Sequence, residues 1–263
     1  MSTCLPRGVL TLSIDLEIDA TRLGLAEQRS LEAVTARLLA LVGKYELPAT
    51  WAVADPAVSA ATERIVALRA GHEIALWGDA TWVGREAGRS RFGRELTRRV
   101  VRARAAGLAV STLVLKTSEL EDHCDLAIKQ GITAVRHPCL EDAAKNPRRL
   151  QPQTLRYGLW SFPVSLELPH ASRWLPGGGG GHTARALIDQ AINERGLVQL
   201  AIDAPRLAAR GYAAERVLQR VLEHAERRRQ QGLLDVVTLG NMARKLSSQH
   251  HGQPSRSILR PAA

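Results

Sequence analysis

The chain holds 263 residues, 45% of them hydrophobic, enough to bury one large core. Residues 1–8 carry one Arg and no apolar run, and the apolar stretch that follows is broken by Asp15, Glu17 and Asp19, so neither a signal peptide nor a membrane span is expected and a cytoplasmic protein is. The net charge of +10 admits a polyanionic partner, but 31 of the 36 basic residues are Arg spread along helix surfaces and only 4% of residues are aromatic, so nucleic acid is not the expected ligand.

Strand and helix patterns then alternate along the chain, the signature of a mainly parallel sheet wrapped by helices. Residues 8–14, rich in Leu and β-branched side chains, read as a first strand. Residues 25–43 space Leu31, Val34, Leu38, Leu39 and Val42 at helical intervals and end on a glycine, and residues 49–54 form a short strand. A helix over 60–70, a strand over 73–76, an Arg-rich helix over 92–106 and a strand over 111–115 follow, then a helix over 120–130 and a strand over 133–135. Residues 141–156, with Pro147 and Pro152, predict a loop. A strand resumes over 159–166, and the five glycines of 177–181 read as a flexible linker. Helices over 184–195 and 213–231 lead into strands over 197–202 and 234–237, and a last helix follows Thr238. From Ser247 the chain is polar and basic and reads as a disordered tail, which gives one domain over 1–246 and a tail over 247–263. The basic clusters, Arg98 and Arg99 with Arg102 and Arg104, and Arg227 to Arg229, fall on the predicted helices as solvated faces. Cys4, Cys124 and Cys139 show no metal spacing and read as ordinary thiols of a reducing compartment.

The residues that point to chemistry sit at strand ends. Ser13-Ile14-Asp15-Leu16-Glu17 closes the first strand, Pro48-Ala49-Thr50-Trp51 opens the second, and Gly71-His72-Glu73-Ile74-Ala75 leads into the third. Gln231-Gly232-Leu233 and the stretch from Thr238 to Leu246 close the domain. Together these segments resemble the NodB-type polysaccharide deacetylases, from about Val9 to Leu246. The resemblance implies a distorted (β/α) barrel with acidic groups at the mouth of the strands. In that family the first Asp of a strand-end pair is the base and the second binds a metal with two histidines four residues apart; an Arg-x-Pro arginine holds the base and a late His is the acid.

This chain departs from that pattern at the ligands. Asp15 matches the base, but Leu16, Trp77 and Thr81 stand at the three ligand positions, so no metal or other cofactor is expected. Asp79 and Glu17 are the nearby oxygen donors. Lys116-Thr117-Ser118 looks like the Arg-x-Pro segment, with a positive charge but without the bidentate fork, and Asp203 fills the slot of the late His. His72 belongs to the structural motif, and His137, His170 and His182 read as loop residues. The candidate site is therefore Asp15, Lys116 and Asp203. Three functions are consistent with it: an impaired or inactive deacetylase relative that binds a carbohydrate or acetylated small molecule, an active hydrolase of C–N or ester bonds with a rearranged site, and a polyanion-binding protein. The sequence leaves the oligomeric state open.

Overall fold

Nine consecutive buried residues, Gly8–Leu16, form the central strand β1. The computed structural model describes residues 5–16, 25–68, 71–79, 81–83, 87–115, 120–138, 151–169 and 179–251. Along β1 the side chains alternate between two different environments, as a strand's pleat requires. Leu10, Leu12, Ile14 and Leu16 enter a helix-side core with Leu31, Val34, Leu38 and Val42 of α1 (Leu25–Lys44) and Val221 and Leu222 of α7 (Tyr212–Gln230). Thr11, Ser13 and Asp15 take the opposite face and are buried there.

The other strands are β2 (Thr50–Val53), β3 (Glu73–Gly78), β4 (Thr112–Leu115), β5 (Ala134–His137), β6 (Gln153–Thr154), β7 (Trp160–Pro163), β8 (Leu166–Leu168), β9 (Leu197–Asp203) and β10 (Leu234–Val237). They form one sheet in the order β6-β7-β5-β4-β3-β2-β1-β9-β8, with β10 beside the first half of β1. Every pairing is parallel except β6 with β7. The sheet curls into a half-barrel with helices outside it, as an α/β alternation dictates. β7 and β8 are separated by Val164 and Ser165 alone, yet β7 pairs with β5 and β8 with β9. The exchange occurs at Ser165, whose N donates to Gln199 O at 2.9 Å and whose Oγ accepts from Gln199 N at 3.0 Å.

The remaining helices are α2 (Ala60–Val66), α3 (Gly88–Ala105), α4 (Cys124–Lys129), α5 (Gly179–Glu194), α6 (Ala204–Arg210) and α8 (Leu239–His251). None of the described helices is long and apolar enough to cross a membrane. At the floor of the half-barrel Glu73 accepts from Thr50 Oγ1 at 3.0 Å, Ser111 Oγ at 3.2 Å, Thr112 Oγ1 and Gly240 N at 2.9 Å, so its carboxylate meets the first turn of α8. His72 Nδ1 accepts from Ala49 N at 3.1 Å, which ties the start of β3 to β2.

Several elements differ from the sequence expectation, each for a local reason. β1 runs to Leu16 rather than Ile14, because Asp15 and Leu16 pair with Ala52 and Val53 of β2. The strand expected over 159–166 is two strands, split where it changes partner. The helix expected over 120–130 is a 3-10 turn, Glu121–His123, followed by α4. The glycine run is not a plain linker, since α5 begins at Gly179. A Cβ on Gly181 would stand 2.7 Å from Val217 Cγ1, so a glycine there lets α5 approach α7 closely. α8 runs to His251, past the Ser247 boundary, and Ser247 Oγ accepts from Trp160 Nε1 at 2.9 Å; residues 252–263 lie outside the described residues.

Candidate functional site

The carboxyl ends of the parallel strands bring Asp15 and Asp203 into direct register on β1 and β9. Beside them opens a cleft of about 410 Å³, lined by both aspartates and by Trp77, Arg136, Glu167 and Arg206, with Leu115, Val164 and two prolines among its apolar walls. Such a cleft at the strand ends is where an α/β barrel gathers side chains from several strands.

Asp15 is gripped from across the half-barrel. Arg136 Nη1 donates to Asp15 Oδ1 at 2.8 Å and Nη2 to Oδ2 at 2.7 Å, a bidentate fork, and Nη1 also reaches Ser13 Oγ at 2.5 Å. The two side chains are 4% and 9% exposed, so this ion pair is nearly dry. Burial pushes the Asp15 carboxyl above its usual range; the Arg136 guanidinium opposes that shift, and the charges of Asp203 and Glu167 add to it. Arg136 Nε has no hydrogen-bond partner among the described residues.

At the mouth, Asp203 ends β9 and caps α6, accepting from Arg206 N at 2.8 Å. The Arg206 side chain turns back over it, with Nε 3.2 Å from Asp203 Oδ2 and Nη1 donating to Glu167 Oε1 at 2.7 Å. One guanidinium thus spans two carboxylates on neighbouring strands. Deeper inside, Trp77 packs with Ala52, Ala75 and Val114, an apolar layer in which small residues on β2 and β3 leave room for the indole.

Of the three residues expected to form the site, Asp15 and Asp203 lie together, and Lys116 falls outside the described residues. The positive group on Asp15 is Arg136, which the strand-end expectation assigned to Lys116. Its signal was present as Arg136-His137-Pro138, an Arg-x-Pro triplet at the end of a predicted strand. Glu167 and Arg206 carried no signal, because only the β8–β9 pairing and the cap of α6 bring them to the cleft.

The divalent metal that the resemblance implies does not fit the donors among the described residues. Leu16 is buried in the helix-side core, so even a carboxylate there would leave β1 on the face opposite to Asp15. Trp77 is part of the apolar layer. Thr81 is exposed and its N and Oγ1 both donate to Asp79 Oδ1, the N at 2.7 Å, so Asp79 closes a local turn. Glu17 and His170 lie outside the described residues, and among the described residues no three His, Cys, Asp or Glu converge as a metal site. His137 is partly buried, and burial together with Arg136 lowers its pKa to about 4, so it is neutral; His182 is exposed on α5.

The arginine clusters are engaged by acceptors within the fold. Arg98 and Arg99 pair with Glu95 at 2.8 and 2.5 Å, Arg102 with Asp55 at 2.7 Å, and Arg104 donates to Gln130 O at 2.6 Å. Arg228 pairs with Asp189 and Arg229 with Glu226.

Over 100% of this chain and 98% of its own length, a Mycobacterium smegmatis protein provisionally assigned as a polysaccharide deacetylase superposes with a TM-score of 0.72 at 19% identity. The fold is that of the NodB-like polysaccharide deacetylases. The same NodB-like fold relates the chain to a Parabacteroides distasonis protein provisionally assigned as a glycoside hydrolase/deacetylase, at a TM-score of 0.56 and 11% identity, covering 94% of this chain and 73% of that one. A 4-alpha-glucanotransferase of Thermococcus litoralis matches at a TM-score of 0.61 and 12% identity over 90% of this chain, which spans 38% of the length of that enzyme. No family model and no curated protein sequence matches the chain.

Proposed function

We propose that this chain is a cytoplasmic, divergent deacetylase-like protein that binds a carbohydrate or an acetylated small molecule in the cleft above Asp15 and Arg136, with metal-dependent hydrolysis impaired or lost. The observation that carries the reading is the contrast between what the cleft keeps and what it lacks. It keeps a buried Asp15 held in a bidentate fork at its floor, an arrangement whose desolvation cost makes it a weak source of stability. The three ligand positions implied by the resemblance instead hold a core leucine, an interior indole and a turn threonine. Loss of several independent site groups removes orders of magnitude of rate, while a cleft with polar anchors and apolar walls still binds.

The test is metal analysis of dialysed protein together with calorimetric titration of chitotriose in the presence and absence of EDTA. The expected result is no stoichiometric zinc and a binding isotherm that EDTA leaves unchanged. Stoichiometric zinc surviving dialysis, or binding abolished by the chelator, would refute the reading.

The raised Asp15 carboxyl favours a second reading, an active hydrolase of amide or ester bonds with a rearranged site. A carboxylate shifted toward neutral pH is a better general base than an ordinary one. That reading requires acetate release from p-nitrophenyl acetate that disappears in Asp15→Asn.

A further inference from the structure

We infer that Arg206 is the specificity-determining residue of the cleft and that it selects a neutral saccharide over an anionic one; the inference rests on the carbohydrate-binding reading above. Arg206 lies at the cleft mouth with its side chain 59% exposed, and its Nε and Nη1 face Asp203 and Glu167. The rest of its five N–H donors have no partner among the described residues. A guanidinium held at Nε by one carboxylate and at Nη1 by another is fixed in orientation without being used up. Its Nη2 still presents donors in the same rigid plane, the arrangement by which supporting carboxylates prepare an arginine for a ligand's oxygen atoms.

Charge decides which oxygens. The described cleft lining carries three carboxylates, Asp15, Glu167 and Asp203, against two guanidiniums, Arg136 and Arg206, and so is one charge negative. A uronate or phosphate approaching Arg206 would meet Glu167 and Asp203 beside it, both already holding the cation, and like charges at close quarters in a partly dry cleft repel. Hydroxyl and amide oxygens accept the same hydrogen bonds without that repulsion. The apolar side of the cleft, from Trp77, Leu115 and Val164, suits the carbon face of a sugar ring beside those polar contacts.

The experiment is calorimetric titration of three probes, neutral chitotriose, neutral cellotriose and an anionic hyaluronan tetrasaccharide, into the full chain and its Arg206→Met, Arg206→Lys and Glu167→Gln variants. A thermal unfolding scan of each variant confirms folding, as expected for an exposed side chain. The wild type is expected to bind a neutral probe and to bind the hyaluronan probe at least tenfold more weakly. Arg206→Met should weaken the neutral probe at least tenfold, Arg206→Lys should fail to restore it because an ammonium lacks the planar fork, and Glu167→Gln should fall between. Neutral binding unchanged in Arg206→Met or Glu167→Gln, rescue by Lys, or preference for the anionic probe overturns the inference while the carbohydrate reading stands. A folded wild type that binds none of the three overturns that reading and this one with it.

Discussion

Replacing Arg136 with Met tests whether the Asp15 grip is as dry as its geometry indicates. The variant keeps the bulk of the side chain and removes the charge that faces a carboxylate only 9% exposed. A carboxylate stranded in that place lowers its free energy by taking up a proton, so the cost of the variant at pH 7 is set by protonating a group whose ordinary value is 3.8. At roughly 1.4 kcal/mol per pH unit this is about 4 kcal/mol, within the 3–5 kcal/mol typical of breaking a buried pair. The sign follows from proton counting. The folded variant holds one proton more than the unfolded chain above pH 3.8, so its stability falls as pH rises. Urea unfolding at pH 5.5, 6.5 and 7.5 should show the cost growing by roughly 3 kcal/mol across the range. Asp15→Asn strands a guanidinium that cannot release its proton, so it should be destabilised without that slope. A cost for Arg136→Met below about 1 kcal/mol at pH 7, or one that stays flat with pH, would refute the argument.

His137 supplies a slope of opposite sign. Its pKa is lowered to about 4, so its contribution is complete above the ordinary value of 6.5 and is lost as pH falls toward 4, about 3 kcal/mol in all; His137→Gln should lack this loss in acid unfolding curves. Gly181→Ala should be destabilised by about 1–3 kcal/mol in urea unfolding, despite the better helix propensity of alanine, because the new Cβ stands 2.7 Å from Val217 Cγ1. Binding to a mixed-sequence duplex should be weak and vanish with rising salt, since Arg98, Arg99, Arg102 and Arg104 are already engaged by acceptors within the fold; tight, sequence-selective binding at physiological salt would contradict this.

Periodic patterns made most elements legible in the sequence. Leu31, Val34, Leu38 and Val42 recur at helical spacing because one face of α1 meets the outward leucines of β1, and that face is the helix-side core. Asp15 was singled out as the strand-end carboxylate matching the base of the resembling motif, and Asp203 as the residue in the slot of the late His; the structure places both at the carboxyl ends of paired strands. Arg136 was missed although its Arg-x-Pro triplet was visible, since Lys116 also stands just past a strand and sequence spacing cannot tell which of two strands faces β1 across the interior. Glu167 falls just past what reads as one strand over 159–166, and nothing in that pattern announces a change of pairing partner. α6 was missed because seven residues are too few to show a helical period.

The partner exchange between β7 and β8 has a consequence for the way the cleft can open. Elsewhere the wall is stitched by ladders that must break row by row, but at Val164 and Ser165 the strands on either side belong to different ladders, one to β5 and one to β9. A widening there separates neither ladder if the rotation falls at Val164, since Ser165 is itself bonded to Gln199 of β9. Val164 and Glu167 both line the cleft, and Glu167, Asp203 and Arg206 all stand on the β8–β9 side of that joint, so a widening there would carry the anchorage of Arg206 as one unit.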